Sequence, residues 1–215
     1  MSTDVSRGEA GCVPRVGLGP RLGALLAMLF ALAVPAAADP AVQFVQRMAN
    51  ELHVAARAKS PQLIANVIQR YGDVNYIGSY SLGTYRAQLA ANDRQLYHSG
   101  IVKFLGRYAA NEAPKYPVAK YEIISPSVQG ANGTMVDSRI TLKDGSTYDV
   151  RWLLSKYGNT YRVRDAMVYG FWMTPFLKKL FEDYIAQNGG NPRALVAVLN
   201  SKILYGEPLR IFHRY

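Results

Sequence analysis

The apolar residues of this chain recur every three or four positions as far as Tyr108, every second position between Lys120 and Val168, and every three or four again beyond Thr174. Helices and strands present a face at periods of about 3.6 and 2 residues, so no single class of element can satisfy this sequence. The pattern predicts an α+β fold in which helices lead into a block of consecutive strands and helices return at the end.

In the first helical block, Val42, Val45, Met48, Ala49, Leu52, Ala55 and Ala56 form one stripe, predicting a helix from about Ala41 to Lys59. Ser60-Pro61 supplies a cap and a first-turn proline for a second helix, with Leu63, Ile64, Val67, Ile68 and Tyr71 on one side and Gly72 as its stop. Residues 73–93 read as a short turn near Asn75–Ile77 and a helix around Tyr85–Ala91. Asp93 then reads as the cap of a longer helix ending near Ala110, before Pro114 and Pro117, with Tyr97, Ile101, Phe104, Leu105 and Tyr108 on one face.

The period then falls to two. "KYEIISPSV" reads as a first strand and "TMVDSRITL" as a second, in which Val136, Ser138, Ile140 and Leu142 share a face. "KDGS" is a hairpin turn. Thr147 to Lys156 forms a third strand with Tyr148, Val150, Trp152 and Leu154 on one face, and a fourth begins at Thr160 after "YGN". In "RVRDAMVYGFW" the alternation fails at Asp165, which marks an irregular strand end. A bulge there moves every later residue to the other face, and the rings after Gly170 are expected to close over an apolar interior. Thr174-Pro175 and Asn191-Pro192 each place a capping side chain before a first-turn proline and start the last two helices. "NGG" at 188–190 separates them, and "GEPLRIFHRY" reads as a loosely packed tail.

Arg15 and Arg21 precede the apolar run Leu22 to Val34, then Pro35 and three alanines. That order predicts a secretory leader over residues 1–38, cleaved near Ala38, and a single exported domain over 39–215. The one cysteine, Cys12, falls inside the leader, so the exported part has neither a disulfide nor a thiol nucleophile. From Asp39 onward, 22 Lys and Arg stand against 13 Asp and Glu. Such a surplus suits anionic lipid or an acidic partner, and export argues against nucleic acid.

Catalytic signatures are sparse. His53, His98 and His213 stand apart from the spacings that bind metal, so no metal or other cofactor is expected. "GSYSLG" spaces Gly78 and Ser81 one residue too far apart for a serine-nucleophile elbow. Asp165 could act as an acid or base beside an apolar cavity, or it could be a structural group paired with Arg151, Arg162 or Arg164. The 15 tyrosines carry the stronger signal, because an interior rich in rings with polar tips suits a pocket for an amphipathic ligand.

The run "YDVRWLLSKYGNTYRVRDAMVYGFW" after a D-G hairpin, an amphipathic helix, "NGGNPRALVAVL" and, upstream, "YSLGTYRAQL" together resemble the MlaC, or toluene-tolerance auxiliary, family of periplasmic phospholipid-binding proteins. The likeness spans roughly residues 40 to 203, with Val163, Asp165 and Gly170 at the family's strand end. It implies a curved antiparallel sheet of about four strands wrapped by helices, with an apolar lipid pocket between them. It further implies a non-enzymatic, monomeric carrier that shuttles phospholipid between an outer-membrane lipoprotein complex and an inner-membrane ABC transporter complex, maintaining outer-membrane lipid asymmetry. Phe171 and Trp172 depart from the small residues the family has after the glycine, and Tyr85 stands where a tryptophan is common. Bulky rings there favour fewer acyl chains or a rigid hopanoid-like lipid.

Strand parity and helix faces then nominate pocket positions: Tyr148, Val150, Trp152 and Leu154 on one strand, Val163 and Met167 on the next, and Ile64, Ile68, Phe104, Tyr108 and Phe181 on the helices. Two rivals remain open. One is a cone-shaped α+β enzyme that uses Asp165 on a hydrophobic substrate. The other is an interaction protein with a filled interior, from which a carrier differs by having a cavity.

Overall fold

The computed structural model describes residues 39–201. The expected leader, the tail beyond residue 201, Cys12 and His213 lie outside them. The first helix, α1 (Pro40–Arg57), buries Ala41, Phe44, Val45, Met48 and Ala55. Its start is fixed by Asp39, whose Oδ1 accepts from the amides of Ala41 (3.0 Å) and Val42 (3.3 Å). Helix α2 (Pro61–Tyr71) starts as its Ser-Pro pair predicts, with the Leu63 amide donating to Ser60 Oγ.

The stretch that mixes aromatics with glycines is more helical than its composition suggests. Asp73 caps a helix α3 (Val74–Ser81) through the Tyr76 amide, and a 3₁₀ helix (Gly83–Gln88) stands where an α-helix was expected around Tyr85. Asp93 ends a 3₁₀ turn before α4 (Arg94–Glu112) and makes no side-chain cap; its carboxylate accepts instead from Arg193 Nε at 2.9 Å. Gly106 allows α4 to touch α2, since a Cβ there would lie 2.5 Å from the Pro61 carbonyl oxygen.

The strands β1 (Val118–Ile123), β2 (Val128–Gly130), β3 (Gly133–Leu142), β4 (Thr147–Tyr157), β5 (Thr160–Val168) and β6 (Phe171–Trp172) form one antiparallel sheet. It runs β1-β3-β4-β5-β6, with β2 also paired to β3. The expected first strand is therefore two pieces on one edge, broken around Pro126, which has no amide hydrogen to give to a ladder. Asp39 Oδ2 accepts from the Ser127 amide at 2.8 Å and ties this break to the start of α1.

Bulges bend the sheet at Ala119 and within β5. In β5, Val163 pairs with Leu154 while Asp165 pairs with Leu153, leaving Arg164 as the surplus residue. A two-residue turn at Tyr169-Gly170, both with positive φ, then joins β5 to β6. The last helices are α5 (Met173–Gln187) and α6 (Pro192–Asn200). Helix α5 begins one residue before the predicted cap, and Thr174 lies inside it.

The packed interior has two parts. Helices α4, α5 and α6 surround a helical core containing Tyr97, Phe104, Phe181, Ile185 and Leu199. A second core lies where α1 and α2 meet the sheet, with Phe44, Val45, Met48 and Ile64 against Val136 and Leu154.

Candidate functional site

Along β3 the residues facing the helices are Thr134, Val136, Ser138, Ile140 and Leu142; β4 adds Tyr148, Val150, Trp152 and Leu154. Toward the Thr134–Leu154 end this face is covered by side chains of the second core. Toward the other end the helices stand away from it, leaving a cavity of about 560 Å³. That volume lies within the roughly 300–1,000 Å³ of small-molecule sites.

The helical wall of the cavity comes from Ala49, Leu52 and Ala56 of α1, Ile64 of α2, and Tyr108 and Ala109 of α4. Its sheet wall comes from Tyr121, Ile140, Leu142, Tyr148, Val150, Trp152, Ala166 and Val168. Small alanines on α1 leave the space, and β-branched, aromatic and other apolar side chains make it greasy.

Polar groups gather at one end: His53, Glu112, Tyr116 and Tyr169. Tyr116 and Tyr169 are exposed, the latter at 69%. The Tyr169 ring meets Tyr148 edge-on at 5.0 Å. Glu112 is held by Lys115 at 2.8 Å and by Asn111. Burial pushes the Tyr108 hydroxyl above its ordinary value, with Glu112 adding to the effect.

Two polar side chains stand deeper. Ser138, fully buried, accepts from Trp152 Nε1 at 2.9 Å and donates to the Val150 carbonyl at 3.2 Å. Tyr121 lies beside it with a buried hydroxyl that completes no well-formed hydrogen bond. Burial raises this phenol to about 12, opposed by Ser138.

A smaller cavity of about 210 Å³ continues the line, walled by Met48, Ile68, Leu105, Val163, Met173 and Leu177 among others. Trp152, Ala166 and Leu52 border both spaces.

The nominated positions therefore separate into groups. Ile64, Tyr108, Tyr148, Val150 and Trp152 line the larger cavity, and Ile68, Val163 and Trp152 the smaller. Phe104 and Phe181 line neither. They are 1% and 0% exposed and pack on each other at 5.9 Å in the helical core, because that side of α4 faces α5 and not the sheet. Leu154, also fully buried, belongs to the second core.

Met167 borders the opposite groove of the sheet, beside Arg151 and Arg139, since the surplus Arg164 shifts the parity of all that follows. Ala166 and Val168 take the inner places. Phe171, 72% exposed, does not close over the interior. The contributions of Ala49, Leu52 and Ala56 were foreshadowed by their stripe, and those of Ile140 and Leu142 by their alternation. Tyr121 was missed although the alternation Lys120-Tyr121-Glu122-Ile123 already puts it on the face of Ile123; the bulge at Ala119, for which the sequence has no signal, brings Val118 to that face as well.

Asp165 is a structural acceptor. Its Oδ1 takes the amides of Ala166 (2.8 Å) and Thr174 (2.9 Å), joining the end of the bulge to the first turn of α5. None of the three arginines near it in the sequence or on the adjoining strand is its partner: Arg151 forms a two-pronged pair with Asp137, Arg162 donates to the Arg70 carbonyl, and the Arg164 guanidinium sits 3.9 Å from the Tyr76 ring centre.

With this geometry in place, comparison with known proteins decides the family. The sequence model of the MlaC protein matches residues 41–201. The chain belongs to the MlaC family. No curated protein matches it by sequence. Among solved structures it is similar to a phospholipid-binding protein from Ralstonia solanacearum, determined in complex with a phospholipid. The two share 21% sequence identity at a TM-score of 0.59, over 76% of this chain and 96% of the other. For an MlaC-family chain at that identity the likeness establishes the fold, and the open curved sheet backed by helices is common to both. Among the described residues no helix is long and apolar enough to cross a membrane.

Proposed function

We propose that this MlaC-family chain is a periplasmic carrier of phospholipid with no catalytic chemistry of its own. The observation that carries the reading is the cavity of about 560 Å³, apolar along its walls and polar at one end, between α1, α4 and the sheet. Each buried methylene contributes about 0.8 kcal/mol, so enclosing about a dozen carbons contributes on the order of 10 kcal/mol before ordering costs. Affinity then comes from the tail. The headgroup is left at the rim formed by His53, Tyr116 and Tyr169, where little selects one headgroup over another.

Family membership and the phospholipid bound to the Ralstonia solanacearum protein support this choice of ligand. Within the proposal, lipid contacts come from Ile64, Tyr108, Tyr148, Val150 and Trp152, joined by Leu52 and Ala166. The carrier exchanges its lipid with an outer-membrane lipoprotein complex and an inner-membrane ABC transporter, and the basic surplus after Asp39 favours anionic membranes or acidic partner faces.

The test is to purify the protein, extract it and identify the bound material by mass spectrometry, then offer it vesicles of defined phospholipids. Co-purified or acquired phospholipid is the expected result. A well-folded preparation that carries no lipid and acquires none refutes the reading. A polycyclic lipid in place of phospholipid would refute the assigned cargo while keeping the carrier.

A further inference from the structure

The two hollows meet at one row of the sheet. Val136, Trp152 and Ala166 pair across β3, β4 and β5. Two members of that row, Trp152 and Ala166, line both cavities, as does Leu52 from α1 opposite; among the described residues no other does so. The elements on either side keep the same order. Helix α4 offers Tyr108 to the larger cavity and Leu105 to the smaller, while β4 offers Tyr148 and Val150 only to the larger. The spaces therefore lie end to end, and of the three side chains between them only the indole is large.

The indole is also held. Trp152 Nε1 donates to the fully buried Ser138, whose own hydrogen goes to the Val150 carbonyl. An apolar side chain would fill the same place without needing a buried polar partner. A tryptophan bonded to Ser138 is fixed in one orientation across the passage.

We propose that Trp152 is the floor of the larger cavity and limits the length of acyl chain the protein accepts, with the smaller cavity an extension kept shut by the indole. The proposal rests on the phospholipid-carrier reading. Trimming the indole adds the neighbouring space of about 210 Å³ to the larger cavity.

The experiment offers the wild type and the variants Trp152→Phe, Trp152→Leu and Trp152→Ala mixed vesicles of diacyl phosphatidylglycerols that differ only in chain length, and reads the captured lipids by mass spectrometry. Retained chain length is expected to shift upward progressively from Phe to Leu to Ala, by several carbons at the end of the series. Thermal melting identifies which variants are folded, and Trp152→Leu keeps the test open if the alanine variant is not. Ser138→Ala, which frees the indole without removing it, is expected to broaden the chain-length distribution. A distribution unchanged across folded variants that do take up lipid overturns the partition alone. Failure of the wild type itself to take up any phosphatidylglycerol overturns the phospholipid cargo on which the proposal rests.

Discussion

Replacing Asp165 separates a structural carboxylate from a catalytic one. In Asp165→Ala the Thr174 amide, inside a residue that is 2% exposed, loses its acceptor at the first turn of α5, and the Ala166 amide loses one at the end of the bulge. A hydrogen bond to a charged group contributes about 1.5–3 kcal/mol, and the local bond to Ala166 contributes less because solvent can replace part of it. Together they set an expected loss of about 2–4 kcal/mol. At about 2–4 °C per kcal/mol for a domain of this size, melting should fall by roughly 5–15 °C. Asp165→Asn keeps an acceptor oxygen and loses the charge, so about half the effect should remain. Urea unfolding, with an unchanged denaturant slope, gives the free energies. Vesicle uptake measured on the folded fraction should match the wild type for both variants. An alanine variant within about 0.5 kcal/mol of wild type would refute the reasoning, since that is the ordinary range of an inconsequential surface change. So would an asparagine variant that melts normally and yet fails to take up lipid.

Other substitutions probe other joints. Burial pushes the Asp39 carboxyl up, but the amides of Ser127, Val42 and Ala41 outweigh it and leave the pKa below its ordinary value of 3.8. A carboxylate with a depressed folded-state pKa adds stability that is complete above the unfolded value and lost as pH falls through the folded one. Asp39→Ala should thus cost about 0.5–2 kcal/mol at neutral pH, typical of a lost cap, and converge with the wild type in urea unfolding as the pH is lowered toward about 2. Gly106→Ala drives a methyl toward the Pro61 carbonyl and should destabilise by about 1–3 kcal/mol through separation of α2 from α4, seen as a lower melting temperature. Phe181→Ala should cost about 3–5 kcal/mol while leaving the captured lipid of folded molecules unchanged, because the ring packs on Phe104 away from both cavities.

What could be read in advance was whatever depends on the neighbours of a residue along the chain. The stripe from Val42 to Ala56, the Ser60-Pro61 start and the face Tyr148-Val150-Trp152-Leu154 all appear in the structure where their spacing put them. Misplaced residues fail for tertiary reasons. Phe104 and Tyr108 lie one turn apart on α4 with rings stacked at 6.3 Å, yet one ends in the helical core and the other in the cavity wall, because α5 covers only the first. No spacing encodes which neighbour covers which turn. Thr174-Pro175 has the form of a cap, but Asp165 on the strand paired with β6 already supplies an acceptor to the Thr174 amide, and the helix starts earlier. The irregularity at Asp165 was visible as a break in alternation; that Arg164 is the surplus residue follows from pairing with β4.

That surplus residue also guards the empty space. Were β5 to slip by one step relative to β4 beyond the bulge, Met167 would arrive where Ala166 stands beside the indole, and a flexible thioether would crowd the passage between the hollows. Slippage is resisted from outside the cavity: the Arg164 guanidinium rests on the Tyr76 ring of α3 and donates to the Asn132 carbonyl at 3.2 Å in the turn before β3. A cation clamped at the periphery thereby holds the strand in step and preserves a hollow it does not itself border.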